Sequence, residues 1–277
     1  MRNAEFISLK ETDGKKFEEI RRATLHFQCD YCIPSIIKDN IFVFIRNYIR
    51  KAERKAELMF FPFEAEDLEA VSFIRADTVF LCLNTEKALS EEVYASANEL
   101  YRILRYIEDE ESSGFYSILT QDMLEDDNYG LNAEANAFAR LLLVPDNLLS
   151  EAVSMNGIEF GKDLMRDVLL VMSLFAVPFR PTVIRLYECG YISREQALSL
   201  LSISKAEVEN ELRLSSVGRI WQQSGKGTES LGSFIETYEY AVCNGLLPEG
   251  KIREENEFIE RIKRKFPLEC VVTQNPA

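Results

Sequence analysis

The sequence predicts an α+β fold, mainly helical with a small three-stranded sheet, followed by a helical C-terminal extension. Three observations carry that reading. Ile36, Ile37, Phe44, Ile45, Tyr48 and Ile49 recur at helical spacing. Three short runs, at 58–63, 70–74 and 78–83, have the length of strands and their Val, Phe, Ile and Leu content. From Ser204 onward the pattern is helical throughout, which divides the chain into residues 1–203 and an extension over 204–277.

In chain order, residues 15–31 form a first helix and 35–57 a second, opened by Pro34-Ser35 and ending in a basic half that suits the helix dipole. A strand over 58–63 stops near Pro62. Arg75-Ala76-Asp77 is a hairpin-length link between the strands at 70–74 and 78–83. Ser90 caps a helix over 91–107, with Glu91 and Glu92 in its favourable first turn. An acidic loop follows. Helices then occupy 132–143 (stopped by Pro145), 164–175, 182–189 (closed by Gly190) and 194–200. Ser224-Gly225-Lys226-Gly227 is a loop and hinge, without the strand and the GxxxxGK[ST] spacing of a phosphate-binding loop. Helices at 231–243 and 252–266 read as an antiparallel pair, and 273–277 as a frayed end.

Composition narrows the function classes. A chain of 277 residues, 47% hydrophobic and 28% charged, can bury a sizeable core. Its first residues lack the apolar region of a signal peptide, and the longest apolar run, near 168–177, is half a membrane span, so a cytoplasmic protein is expected, with no membrane partner. Cys29, Cys32, Cys82, Cys189, Cys243 and Cys270 read as reduced thiols. Net charge is −14, and residues 61–160 hold the excess with 21 acidic against 5 basic side chains. Runs such as 108–111 and Glu125-Asp126-Asp127 repel a phosphate backbone, which argues against direct nucleic-acid binding. They form either a solvated face or a surface for a basic partner.

The helix over 91–107 carries the chemistry. In Ala97-Asn98-Glu99-Leu100-Tyr101-Arg102, a glutamate sits where a zinc-peptidase helix has its general base. Such a helix needs His at i and i+4 to hold the metal, and those positions are Asn98 and Arg102. The only histidine in the chain is His26. An amide oxygen is a poor zinc ligand, and a guanidinium is a cation without a lone pair to give.

With its neighbours, this segment resembles the ImmA/IrrE family of zinc metallopeptidase domains. Thr78-Val79-Phe80-Leu81-Cys82-Leu83-Asn84 is similar to the strand before the active-site helix. Ala97 to Arg102 stands where the family writes A-H-E-L-G-H. Glu134-Ala135-Asn136-Ala137-Phe138-Ala139 through Leu142-Leu143-Val144-Pro145 is similar to its second motif. Phe175-Ala176-Val177 and Arg185 through Ile192 are similar to its last segment. The resemblance covers roughly residues 35–195. It implies a zincin-like core in which Asn98 and Arg102 stand at the two histidine ligand positions. Glu99 keeps the general-base position, without catalysis, and Glu134 keeps the third ligand position, with no metal expected. Zinc would be the cofactor only of a functioning site. On this reading Arg102 forms an ion pair with Glu134, and Tyr101, at a position usually Gly, crowds the groove or covers apolar surface. The family's habits imply a regulatory protein of mobile-element control or stress response that binds a protein partner such as a DNA-binding repressor.

Other readings stay open. One is a metal-dependent peptidase with a rearranged carboxylate site drawn from Asp122, Glu125, Asp126 or Asp127, whose oxygens would suit a hard cation. Another is a toxin or phage-defence component. His26, Cys29 and Cys32 are spaced as a metal knuckle, though structural thiols, core side chains or a redox pair also fit. Trp221 reads as packing or an interface anchor. Only His26 could complete a Ser-His arrangement, and Ser150, Ser154 and the other serines have no histidine partner nearby in sequence, which argues against classical serine hydrolysis.

Overall fold

The computed structural model describes residues 6–31, 35–108, 114–161, 163–215, 231 and 233–265. Cys32, Trp221, the 224–227 loop and the 273–277 end lie outside the described residues. At the N-terminus, α1 (Leu9–Thr12) is a single turn. Asp13, whose carboxylate accepts from the Lys16 amide, opens α2 (Gly14–Asp30). The latter buries Phe17, Ile20, Thr24 and Phe27 along one stripe.

The expected helix over 35–57 is shorter. A 3-10 turn at Lys38–Asn40 leads into α3 (Ile41–Lys51), which buries Ile41, Ile45 and Ile49 completely. Helix ends after Lys51 because Glu53 adopts φ 58° and the chain enters β1 (Lys55–Phe61). Pairing with a distant strand, which local periodicity does not encode, overrides helical propensity there.

The sheet has four strands, not three. Its order is β1, β3 (Thr78–Asn84), β2 (Leu68–Arg75), β4 (Tyr116–Thr120). β1 runs parallel to β3, and the other pairs are antiparallel. The added strand is only five residues long and follows the acidic run, so its alternation was too brief to stand out. It is paid for by pairing with β2 and by burying Ser117 and Leu119.

The β2–β3 hairpin turns on Ala76 and Asp77, with Ala76 held at φ 55°. An L-residue with a Cβ is disfavoured there by about 1 kcal/mol. Ala76→Gly should therefore raise unfolding free energy by about 1 kcal/mol, read as a higher urea midpoint at unchanged m. A lower midpoint would contradict it.

One sheet face, with Leu58, Val79, Leu81, Leu83, Ala70 and Leu119, is buried against α3 and α4 (Leu89–Glu108). α4 begins at Leu89, two residues before the expected start. Glu91, rather than Ser90, reaches back to accept from the Ala88 amide at 3.1 Å. α4 is the central helix, buried from Glu92 through Ile103, because it lies between the sheet and α6 (Gly130–Leu143). Between them, α5 (Gln121–Leu124) is one turn.

Beyond α6, α7 (Asp146–Asn156) is a helix the sequence reading passed over. Only Leu149 and Ala152 are buried in it, so its apolar stripe is thin. α8 (Leu164–Phe175) matches expectation. α9 (Phe179–Glu188) starts three residues early, with Pro181 in its first turn, where no intrahelical N–H is required. Capping boxes at Ser193/Gln196 and Ser204/Glu207 start α10 (Arg194–Leu201) and α11 (Lys205–Leu214).

The antiparallel pair α12 (Phe234–Cys243) and α13 (Glu249–Lys265) is present. It lies on the outer sheet face, where Phe258 meets Phe61 at 5.8 Å and Ser233 donates to Glu57. Among the described residues no single helix is long and apolar enough to cross a membrane. α8 and α9 together reach that length only across a 102° bend.

Candidate functional site

Two helices face each other through residues at i and i+4. α4 presents Asn98 and Arg102, and α6 presents Asn132 and Asn136. Such spacing puts each pair on one helix face. The Asn98 amide donates to Asn136 Oδ1 at 2.7 Å. Arg102 Nε donates to Asn98 Oδ1 at 3.0 Å, and Arg102 Nη2 to Asn132 Oδ1 at 2.8 Å. The Asn136 amide continues to the carbonyls of Met123, Leu124 and Asp126. Hydrogen bonds thus join α4, α6 and the acidic loop through one continuous chain. Asn98 and Asn136 are fully buried, so such satisfaction is required for them to be tolerated.

Glu99 points the other way, toward the sheet. Ser72 on β2 and Ser117 on β4 stand opposite each other in register. Both hydroxyls donate to the Glu99 carboxylate, Ser117 at 2.9 Å. Arg102 Nε lies 3.5 Å away on the remaining side. Burial lifts the Glu99 carboxyl above the ordinary range, against the lowering effects of Ser72, Arg102 and Ser117. Burial likewise lowers the Arg102 guanidinium, with Glu99 opposing.

The sign of the linkage follows from the raised Glu99 value. Its contribution to stability is full below the unfolded-state pKa and is lost as pH rises through the folded one. Glu99→Gln should therefore gain stability relative to wild type between pH 5 and pH 8, measured as the difference in Tm. A difference that shrinks as pH rises would contradict the burial-dominated assignment.

Arg102 and Glu134 take different partners from the expected ion pair. Glu134 Oε2 accepts from the Tyr101 hydroxyl at 2.7 Å, while Arg102 is committed to Asn98, Asn132 and Glu99. Asn132 and Glu134 are two residues apart, about 200° around a helix, so they cannot share a face. The residue that meets the 98/102 stripe is Asn132. Tyr101 is buried, its ring 5.3 Å from Phe138, so it covers apolar surface as well as binding Glu134. Burial first, then the bonded Glu134, raises its hydroxyl pKa.

Ser72, Ser117 and Asn132 are the site residues that sequence reasoning missed. Helical spacing was the available signal for Asn132, which repeats at Asn136 the interval between Asn98 and Arg102. No such signal existed for the serines, whose convergence depends on sheet register.

The remaining candidates disperse. His26 and Cys29 are exposed on α2 rather than core side chains. The acidic loop does not converge: Asp122 and Glu125 face solvent, whereas Asp127 is buried against Arg140. Among the described residues, no three His, Cys, Asp or Glu side chains are grouped to hold a metal ion. Cys29, Cys82, Cys189 and Cys243 are free thiols.

Comparison of the chain with protein-family models and with curated proteins found no match.

Proposed function

We propose that this protein is a catalytically inactive, metallopeptidase-like regulator of ImmA/IrrE type that acts in the cytoplasm by binding a protein partner, such as a DNA-binding repressor. The observation that carries the reading is the hydrogen-bonded chain Asn132–Arg102–Asn98–Asn136. It ties together the two helices that a zincin-like core would join through zinc. A guanidinium at its centre opposes a divalent cation by like charge. Glu99, at the general-base position, supports the same reading: its oxygens accept from two sheet serines in a fully buried setting. A base must instead reach a water or substrate proton.

Metal content tests the inactive half. Protein purified without chelator is expected to carry well under one equivalent of zinc. Stoichiometric metal that is lost with Glu134→Ala would overturn the proposal and favour a metal-dependent peptidase. For the binding half, tagged full-length chain recovered from native lysate should bring down one specific protein. A monomeric sedimentation profile with no specific companion would count against it.

A further inference from the structure

Beside the site, α2, α4, α6 and the end of α3 line an open cavity of about 490 Å³. Its wall is a run of touching rings. Phe27 stacks on Tyr31 with centroids 4.6 Å apart, and Tyr48 lies 5.9 Å from Phe27 and 6.2 Å from Tyr31. Tyr101 and Phe138 continue the wall. Aromatic faces carry negative partial charge and attract cations. The chain already uses one of them: Lys51 Nζ stands 5.0 Å from the Tyr31 centroid.

The charges around the rings favour the same kind of guest. Asp30 acts on the Tyr31 hydroxyl, and Tyr48 is pushed up to about 12 by burial and then by Glu108. Glu19 also lines the cavity but is paired with Lys16 at 3.1 Å. Lys16, Lys51 and Arg105 balance Glu19, Asp30 and Glu108 while Lys51 is in place. Lys51 is solvent-exposed, so it can swing away, and the lining then carries a net negative charge. An anionic ligand would add to that excess, and a neutral one would leave one carboxylate unbalanced. An ammonium on an alkyl stem satisfies both the rings and the acids.

We infer that this cavity is a subsite for an alkylammonium group, namely a lysine side chain of a protein partner that takes the place of Lys51. It rests on the partner-binding reading above but gives that reading a specific chemistry. Lysine recognition here depends on the rings and rim acids, not on the hydrogen-bonded chain at Asn98 and Arg102.

The test titrates Ac-Gly-Lys-Gly-NH2 and its norleucine counterpart into the full chain, following the ring resonances of Tyr31 and Tyr48. The lysine peptide should saturate one site and bind about tenfold more tightly than the neutral one, the scale of a cation–π contact with a nearby carboxylate. Lys51→Ala should tighten the lysine peptide severalfold by removing the resident competitor. Asp30→Asn with Glu108→Gln should weaken it about tenfold, and both variants alter only surface side chains. Equal binding of the two peptides, no saturable shift, or indifference to Lys51→Ala would overturn the inference. So would binding of free choline without binding of the lysine peptide, since that would assign the cavity to a small ligand. None of these failures bears on the zinc measurement, which tests the inactive site separately.

Discussion

Replacing Arg140 by methionine should destabilise the protein by about 3–5 kcal/mol, the usual cost of leaving buried charges without their partner. Among the described residues, Arg140 is the largest fully buried side chain. Its guanidinium binds Asp127 from the acidic loop and Glu188 from α9, the latter at 3.0 Å. Arg185 extends the cluster to Glu188 at 3.6 Å and to Asp146 at the start of α7, and its Nε donates to the Val144 carbonyl at 2.9 Å. Arg140 in α6 therefore ties the preceding acidic loop to α9, and Arg185 carries the cluster on to α7.

Methionine fills a similar volume, so the loss would come from the stranded carboxylates rather than from a cavity. Burial already pushes the Asp127 carboxyl upward, with Arg140 as the chief opposing influence. Without that influence Asp127 takes up a proton more readily. Its raised native pKa then favours the folded state at low pH, and the penalty should shrink as pH falls. Urea unfolding at pH 7 and pH 5 measures both effects. Adding Asp127→Asn to Arg140→Met should cost less than the sum of the single changes. A loss below about 1 kcal/mol, or strict additivity, would mean that the cluster holds no coupled charge.

The second large effect is a gain. Asn98→His, Arg102→His and Asn132→Glu together should give the protein a zinc site, with affinity at least about a thousandfold above wild type, or about 4 kcal/mol. Asn98 and Arg102 already meet at 3.0 Å on α4, and Arg102 meets Asn132 across the helix pair at 2.8 Å. Two imidazoles and a carboxylate are the ligand set of many zinc peptidases. Removing Arg102 also removes the charge that opposes the ion. Because Ser72 and Ser117 still hold Glu99, zinc should bind without peptide hydrolysis. Isothermal titration with zinc, on variants whose circular dichroism matches wild type, decides the matter. A folded triple variant without zinc affinity would show that these helices are not spaced as a metal site.

Legibility in the sequence followed the range of the forces involved. α8 and α10 were readable within a residue because apolar periodicity and capping are local. α3 was overextended because its last residues join β1, whose partner β3 lies more than twenty positions away. β4 was missed because five residues after an acidic run give little alternation to count. At the site, Asn98 and Arg102 on α4 were identifiable as a same-face pair by their i, i+4 spacing alone.

What the sequence by itself determined is chemical. The chain has one histidine, on α2 rather than α4, and it places an amide and a guanidinium where a two-histidine zinc helix needs imidazoles. Only the tertiary structure decided what those groups do instead. It turns Asn132 and Asn136 toward Asn98 and Arg102, sends Glu134 to Tyr101, and sets Ser72 beside Ser117 under Glu99. The physical reason is that side-chain identity is a local property, whereas a hydrogen-bond partner depends on helix phase and strand register. Both of those are fixed only when α4 packs between the sheet and α6.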